Sequence, residues 1–238
     1  VYYLGNLELA RLTPQGISFF NLDGDEISKE PVEILWNAEA AEKGGYEHFM
    51  MKEIHEQPKA VEDTLRSVCT DGSIDLEKTG LTRDAVASFR QVWVIGCGSA
   101  YHVGVAAQYV LEDLAKIPVR VELASEFRYR DPLVPENTLV VIISQSGETA
   151  DSLAALRKAK EQGAKTLAIV NVVGSTIARE ADYVFYTLAG PEIAVATTKA
   201  YSAQLLAVYA LAIAFAQDRG PQFFYIYFKP KAHKSIII

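Results

Sequence analysis

The chain has 238 residues, half of them apolar and 22% charged, the balance of an ordinary globular protein and not of a disordered one. Lys and Arg number 23 against 30 Asp and Glu, a net charge of −7, which excludes sequence-independent nucleic-acid binding while leaving room for a phosphate held by backbone amides. Two cysteines, Cys69 and Cys97, cannot build a disulfide framework, so a reduced, cytoplasmic setting is expected.

Residues 1–36 read as β. Apolar residues cluster in Val1-Tyr2-Tyr3-Leu4, Leu7 to Leu12 and Ile17-Ser18-Phe19-Phe20. Turns are signalled by Thr13-Pro14-Gln15-Gly16 and by Asp23-Gly24-Asp25, a hairpin cue. So few strands cannot bury a core alone, which makes them a docked subdomain or the end of a larger domain. Val1 to Gly5 has no basic n-region and no starting Met, so it is not a signal peptide, and a start at Val implies sequence upstream. Residues 37–45 look like a linker. A helical stretch follows, with Phe49, Met50 and Ile54 on one apolar face and Val61, Leu65 and Val68 on another. Pro58 between them is expected to start a helix or to kink one.

From Val92 the pattern alternates between β and α. Apolar runs occur at Val92 to Ile95, Val119 to Leu123, Leu139 to Ile143, Thr166 to Val170 and Tyr183 to Tyr186. Helical patterns lie at Tyr101 to Ala115, Asp151 to Gln162 and Thr176 to Ala181, with Gly163 placed as a helix terminator. Strands without polar alternation, spaced by helices, predict an α/β fold with a parallel sheet covered on both faces. Lys199 to Ala216 is predicted to be a long closing helix. Its apolar run, Leu205 to Ala216, is too short for a membrane span, and no membrane partner is expected. From Asp218 the composition changes. Gly220-Pro221 breaks the helix, and Phe223 to Phe228 is a dense aromatic run that makes residues 218–238 an atypical tail.

Ligands of open α/β sheets sit at the carboxyl ends of the strands, and three loops there stand out. Ser144-Gln145-Ser146-Gly147-Glu148-Thr149 follows the third run and opens a helix. Three hydroxyls, an amide and a glycine in six residues exceed what one helix cap requires. Short donors beside a helix N-terminus suit a phosphate, and Gly147 would let it approach the backbone. Gly96-Cys97-Gly98-Ser99-Ala100 begins like a dinucleotide fingerprint, but Tyr101 stands where the third Gly belongs and no Lys-Ser/Thr follows. This leaves a tight βα turn or the other half of a phosphate or sugar site. Ala194-Val195-Ala196-Thr197-Thr198-Lys199 leads into the last helix, where Thr197 or Thr198 is a candidate cap and Lys199 is a candidate Schiff-base lysine or phosphate partner, with a surface or salt-bridged cation the commoner case. Cys97 reads as a small buried hydrophobe. His48, His55, His102 and His233 show no metal-ligand spacing, and no Ser-His-Asp set can be assembled.

The loop Ser144 to Thr149, with Gly96-Cys97-Gly98-Ser99 one strand earlier in the sheet, resembles the sugar isomerase (SIS) domain. Tyr46 to Pro58, Glu126-Phe127-Arg128-Tyr129-Arg130 and Glu192 to Ala200 resemble the isomerase half of the isomerizing glutamine–fructose-6-phosphate aminotransferases, and the likeness runs from residue 1 to about Gln217. The resemblance implies an SIS-type five-stranded parallel sheet flanked by helices, preceded by a small β remnant. It divides the chain into 1–36, the last strands of a glutaminase domain; 37–45, a linker; 46–217, a first SIS domain; and 218–238, the tail. It implies fructose 6-phosphate or glucosamine 6-phosphate as ligand, glutamine as a substrate only of the full-length enzyme, a homodimer, and neither metal nor cofactor.

Carried over residue by residue, the phosphate falls to Ser144, Gln145, Ser146, Thr149 and Ser99, and the sugar to Cys97, Gly98, Val195 and Thr197. Ala100 stands where the family commonly has Ser, a lost hydroxyl contact of about 0.5–1.5 kcal/mol if nothing replaces it. The family's acid/base Glu, ring-opening His, Schiff-base Lys and glutaminase Cys match no position here, and Lys199 is not the Schiff-base Lys. No catalytic residue is therefore assigned. Three other readings remain open: a sugar-phosphate sensor on one SIS domain, a stand-alone phosphosugar isomerase using Glu148 and His102, and a truncated product without function.

Overall fold

The structure, a computed structural model, describes residues 1–33 and 41–218; the first four residues of the expected linker and the tail beyond Asp218 lie outside them. The chain divides after Asn37 into two compact units.

The first unit is an antiparallel meander of β1 (Glu8–Thr13), β2 (Gly16–Asn21) and β3 (Glu26–Ile27). The two expected turns join these strands. Phe19 is the only buried side chain among the unit's described residues, and Tyr2 packs on it with ring centroids 4.9 Å apart. Val1 to Leu4, expected to be β, forms no strand. Its ordered bonds are instead a reciprocal pair between Val1 and Val32, 2.7 and 2.8 Å, and Lys29 Nζ donating to the Tyr3 carbonyl at 2.8 Å.

The second unit opens with α1 (Phe49–Val68), which runs through Pro58 instead of ending or restarting there. Proline cannot donate to the carbonyl four residues back, and Gln57 Nε2 donates to that Ile54 oxygen at 3.1 Å. Pro58 also lies on the exposed face, where its ring displaces no core residue. A small hairpin of β4 (Cys69–Thr70) and β5 (Ser73–Ile74) and the short α2 (Arg83–Ser88) lead to the main sheet. That sheet comprises β6 (Gln91–Gly96), β7 (Val119–Leu123), β8 (Thr138–Ser144), β9 (Lys165–Val170) and β10 (Tyr183–Tyr186). All neighbours are parallel, in the order β10-β9-β8-β6-β7. The fold class is the one the alternating pattern predicts.

Two layers of helix cover the sheet. Val92, Val94, Leu139, Val141, Leu167 and Phe185 face α3 (Ser99–Ala115) and α7 (Lys199–Asp218). Their sequence neighbours Trp93, Ile95, Val140, Ile142 and Ala168 face α4 (Ala124–Phe127), α5 (Ala150–Glu161) and α6 (Thr176–Glu180). Alternate residues thus feed opposite cores, and every residue of central β8 is buried. Length and composition alone would let α7 cross a membrane, but it packs along α1 and α3, and Ala200, Ala203, Ala207, Leu211 and Phe215 are buried there.

Candidate functional site

Chain order and sheet order diverge at β6. From β6 the chain goes to β7 on one side, then returns to place β8 on the other and continues outward to β9 and β10. The carboxyl ends of β6 and β8 therefore lie side by side, with Gly96 paired to Ile143, and the loops leaving them turn apart. This is the crevice in which doubly wound sheets bind ligands. Here it is a cleft of about 220 Å³ lined by Cys97, Ser99, Ala100, Ile143, Ser144, Gln145, Ser146, Thr149, Thr197 and Gln204.

The loop after β8 is held by its own hydroxyls. Ser144, 2% exposed, accepts the Gly147 N–H at 3.0 Å and its hydroxyl is hydrogen-bonded to Thr149 Oγ1 at 3.0 Å. Ser144 thus braces the loop from beneath. Ser146 Oγ accepts the Glu148 N–H at 3.2 Å and keeps its own proton to donate. The Gln145 carbonyl accepts the Asn171 N–H at 3.0 Å, which ties the loop to the end of β9. Thr149 is the N-cap residue of α5, yet its side chain makes no cap bond, so it does not satisfy the first N–H groups of that helix. Gly147 has φ +66°, and a Cβ there would stand 2.0 Å from Ser175 Oγ. The protein's own packing, ahead of any ligand approach, demands this glycine.

The loop after β6 supplies the second helix start. Ser99 is the first residue of α3, whose N-cap Gly98 has no side chain to offer. Two helix N-termini without side-chain caps therefore belong to the loops that form the cleft, at Ser99 and at Ala150. No Lys, Arg, Asp, Glu or His side chain is among the lining residues, so the polarity of the cleft comes from hydroxyls, amides and helix ends. Ser152 Oγ donates to Cys97 Sγ at 4.0 Å, and that thiol is free.

Thr197 reaches the cleft from the segment before α7, and two carboxylates hold that segment. Glu53 on α1, 2% exposed, accepts the N–H groups of Ile193 at 2.6 Å and Ala194 at 3.2 Å. Glu192 accepts from Thr197 Oγ1 at 2.9 Å, the Thr198 N–H at 2.9 Å and the Ala200 N–H at 3.2 Å. The cap of α7 is thus the Glu192 carboxylate, not the expected threonine hydroxyl, which corrects that expectation. A carboxylate reaches further than a hydroxyl and brings a full negative charge to the helix dipole. Lys199, 3% exposed, pairs with Glu56 at 2.7 Å, which makes it a structural cation and not a cleft residue.

Of the nine residues singled out for phosphate and sugar, seven line the cleft: Ser99, Ser144, Gln145, Ser146, Thr149, Cys97 and Thr197. Gly98 and Val195 do not, and Val195 is fully exposed. Glu148 and His102 are also absent from the lining. The Glu148 carboxylate accepts the Thr176 N–H at 2.7 Å, and His102 rests edge-on against Tyr101. No acid/base pair is therefore assembled at the cleft. Among the described residues no cluster of three His, Cys, Asp or Glu side chains could hold a metal ion. Gln204 and Asn171 were not foreseen. Gln204 is the last polar residue before the apolar run of α7, a signal too slight to read as a site.

The comparisons agree with this geometry. The SIS domain pattern matches residues 86–214. The glutamine–fructose-6-phosphate aminotransferase (isomerizing) of Clostridium acetobutylicum is 52% identical over 92% of this chain and 36% of that protein. Its counterpart in Symbiobacterium thermophilum is 53% identical over 89% of this chain and 35% of that protein. The chain thus spans about a third of the length of these curated relatives. Among solved structures, the C-terminal domain of glucosamine-fructose-6-phosphate aminotransferase from Francisella tularensis superposes with a TM-score of 0.72 and 43% identity, over 75% of this chain and 50% of that one. With a five-stranded parallel sheet, a cleft at its switch point and the family pattern over more than half of its length, the chain belongs to the SIS domain family.

Proposed function

We propose that the cleft holds the phosphate of a phosphorylated sugar, fructose 6-phosphate or glucosamine 6-phosphate, and that the chain contributes this binding part to glutamine-dependent glucosamine 6-phosphate formation in amino-sugar biosynthesis. One observation carries the reading: hydroxyl and amide side chains line a cleft whose loops start two helices that no side chain caps. A phosphate dianion accepts hydrogen bonds only, and such a wall offers donors without a bound counter-charge. The aminotransferase names of relatives about half identical to this chain support the sugar.

On this reading Gln145, Ser146, Thr149 and Ser99 donate to the phosphate over the brace of Ser144. Cys97 and Thr197 stand along the sugar, while Gly98 and Val195 lie outside the cleft's lining. The chemistry of amine transfer and isomerisation falls to residues other than those lining the cleft, which hold no acid/base pair. Residues 1–36 would be the closing strands of a glutaminase domain, 46–217 a first SIS domain, and two copies would pair as a homodimer. Two free cysteines suit a cytoplasmic setting. Thermal melting with fructose 6-phosphate, and with fructose as control, tests the reading. At 100 times its dissociation constant a ligand stabilises by about 2.7 kcal/mol, a shift of roughly 5–10 °C for a unit of this size. The shift is expected with the phosphate ester alone and is expected to vanish in Ser146→Ala; equal shifts with fructose would contradict the reading.

A further inference from the structure

Gln204 is a polar side chain where α7 is otherwise packing against the core. It is 3% exposed, and Ala200, Ala203 and Ala207 around it are buried. The backbone at Gln204 belongs to the helix ladder, so its side-chain amide is what the cleft meets. That amide has no hydrogen-bond partner among the described residues. Three other polar side chains of the same helix are paired. Lys199 bonds Glu56 at 2.7 Å, and Ser202 donates to Gln57 at 2.6 Å. Gln217, the same residue type on the same helix, uses both ends: its Nε2 donates to Ser73 Oγ at 2.7 Å and its Oε1 accepts the Ile74 N–H at 3.3 Å. Neither atom of the Gln204 amide is sealed from solvent, so both stay open toward the cleft, where a ligand can complete them.

The kind of group that completes it follows from the amide itself. Glutamine presents two donors and a carbonyl acceptor. A phosphate dianion can use the NH2 end but has no proton for that carbonyl, and the cleft already meets phosphate with hydroxyls, the Gln145 amide and helix ends. A sugar hydroxyl both donates and accepts, so it can engage either end of the amide. We infer that Gln204 reads a hydroxyl of the sugar carried by the phosphate, and so makes the cleft selective for phosphorylated polyhydroxy chains over phosphate itself. The inference rests on the sugar-phosphate reading above. Ala100, which lines the same cleft without a polar side chain, leaves Gln204 less competition for that hydroxyl.

The test compares the chain with Gln204→Met, a swap of similar shape without polar ends, by calorimetric titration with fructose 6-phosphate and with inorganic phosphate. The expected result is an affinity for fructose 6-phosphate lowered about tenfold, an unchanged affinity for inorganic phosphate, and a ligand-free melting temperature equal to the parent's or higher. Equal fructose 6-phosphate affinity in the two chains would overturn the inference and leave the proposed function standing. Equal losses for both ligands would also overturn it, because Gln204 would then serve the phosphate or the cleft's shape. If the parent chain binds neither ligand, both readings fall together. Should the Met variant not fold, the side-chain amide signals of Gln204 are followed by NMR in the parent chain. Movement with fructose 6-phosphate and not with inorganic phosphate supports the inference, and equal movement with both refutes it.

Discussion

Gly147 sits at φ +66°, and a methyl group there would meet Ser175 Oγ at 2.0 Å and Ser175 Cβ at 2.6 Å. Ser175 is itself buried beneath the loop, so the collision has no easy relief. Gly147→Ala is therefore expected to lower stability by about 2–4 kcal/mol, from overpacking together with left-handed backbone strain. Adding Ser175→Gly should return the steric part and leave about 1–2 kcal/mol of strain, as read by urea unfolding. A loss below about 0.5 kcal/mol in the single variant would show that the loop moves aside. The sequence marks Gly147 through its hydroxyl-rich neighbours, but not its reason, because Ser175 enters through tertiary packing. The same holds for Glu53, which reaches Ile193 and Ala194 from α1. The cap of α7 is local, since Glu192 lies six residues before Thr198, but the pattern names the hydroxyl nearest the helix and a loop that folds back on itself leaves no periodic signal.

Between β9 and β10 the connection is closed by Asp182, which accepts the Thr166 N–H at 2.9 Å and the Thr166 hydroxyl at 2.7 Å. Burial pushes its carboxyl up, but the two Thr166 bonds together with Lys160 and Lys165 outweigh it, and the group titrates below the ordinary carboxylate range. A carboxyl whose folded pKa lies below its unfolded value stabilises the fold above the unfolded pKa, and loses that contribution as pH falls through the folded one. Asp182→Asn should thus cost about 1 kcal/mol at pH 7 and make the acid-side decline in stability shallower. Unfolding curves taken from pH 7 down to pH 2 measure both effects, and parallel declines would contradict the assignment. At this scale the five sheet strands and their long helices were legible, because each shows a sustained apolar run or period. The short α2 and α4 were not, since six and four residues complete too few turns to show a period. The helix start that Pro58 could have marked does not occur: α1 runs through it, and the Gln57 side chain fills the vacant donor position, a compensation that residue spacing does not display.

Across the whole molecule, a net charge of −7 coexists with a cleft that no charged side chain lines. Binding of a dianion must then depend on the two helix starts and the hydroxyls that β6 and β8 bring together at the switch point. The phosphate half of this site was legible because its donors are contiguous in sequence. The wall from α7 was not, since Gln204 stands 60 positions from Ser144 and reaches the cleft only when α7 packs back along α3. The most direct test of the account is a map of backbone amide shifts in the ¹⁵N-labelled chain on titration with fructose 6-phosphate, repeated with fructose. The account predicts that signals from residues 96–101 and 144–152 move with the phosphate ester and stay with fructose. Signals that stay in place with both, or that move in the first unit instead, would contradict it.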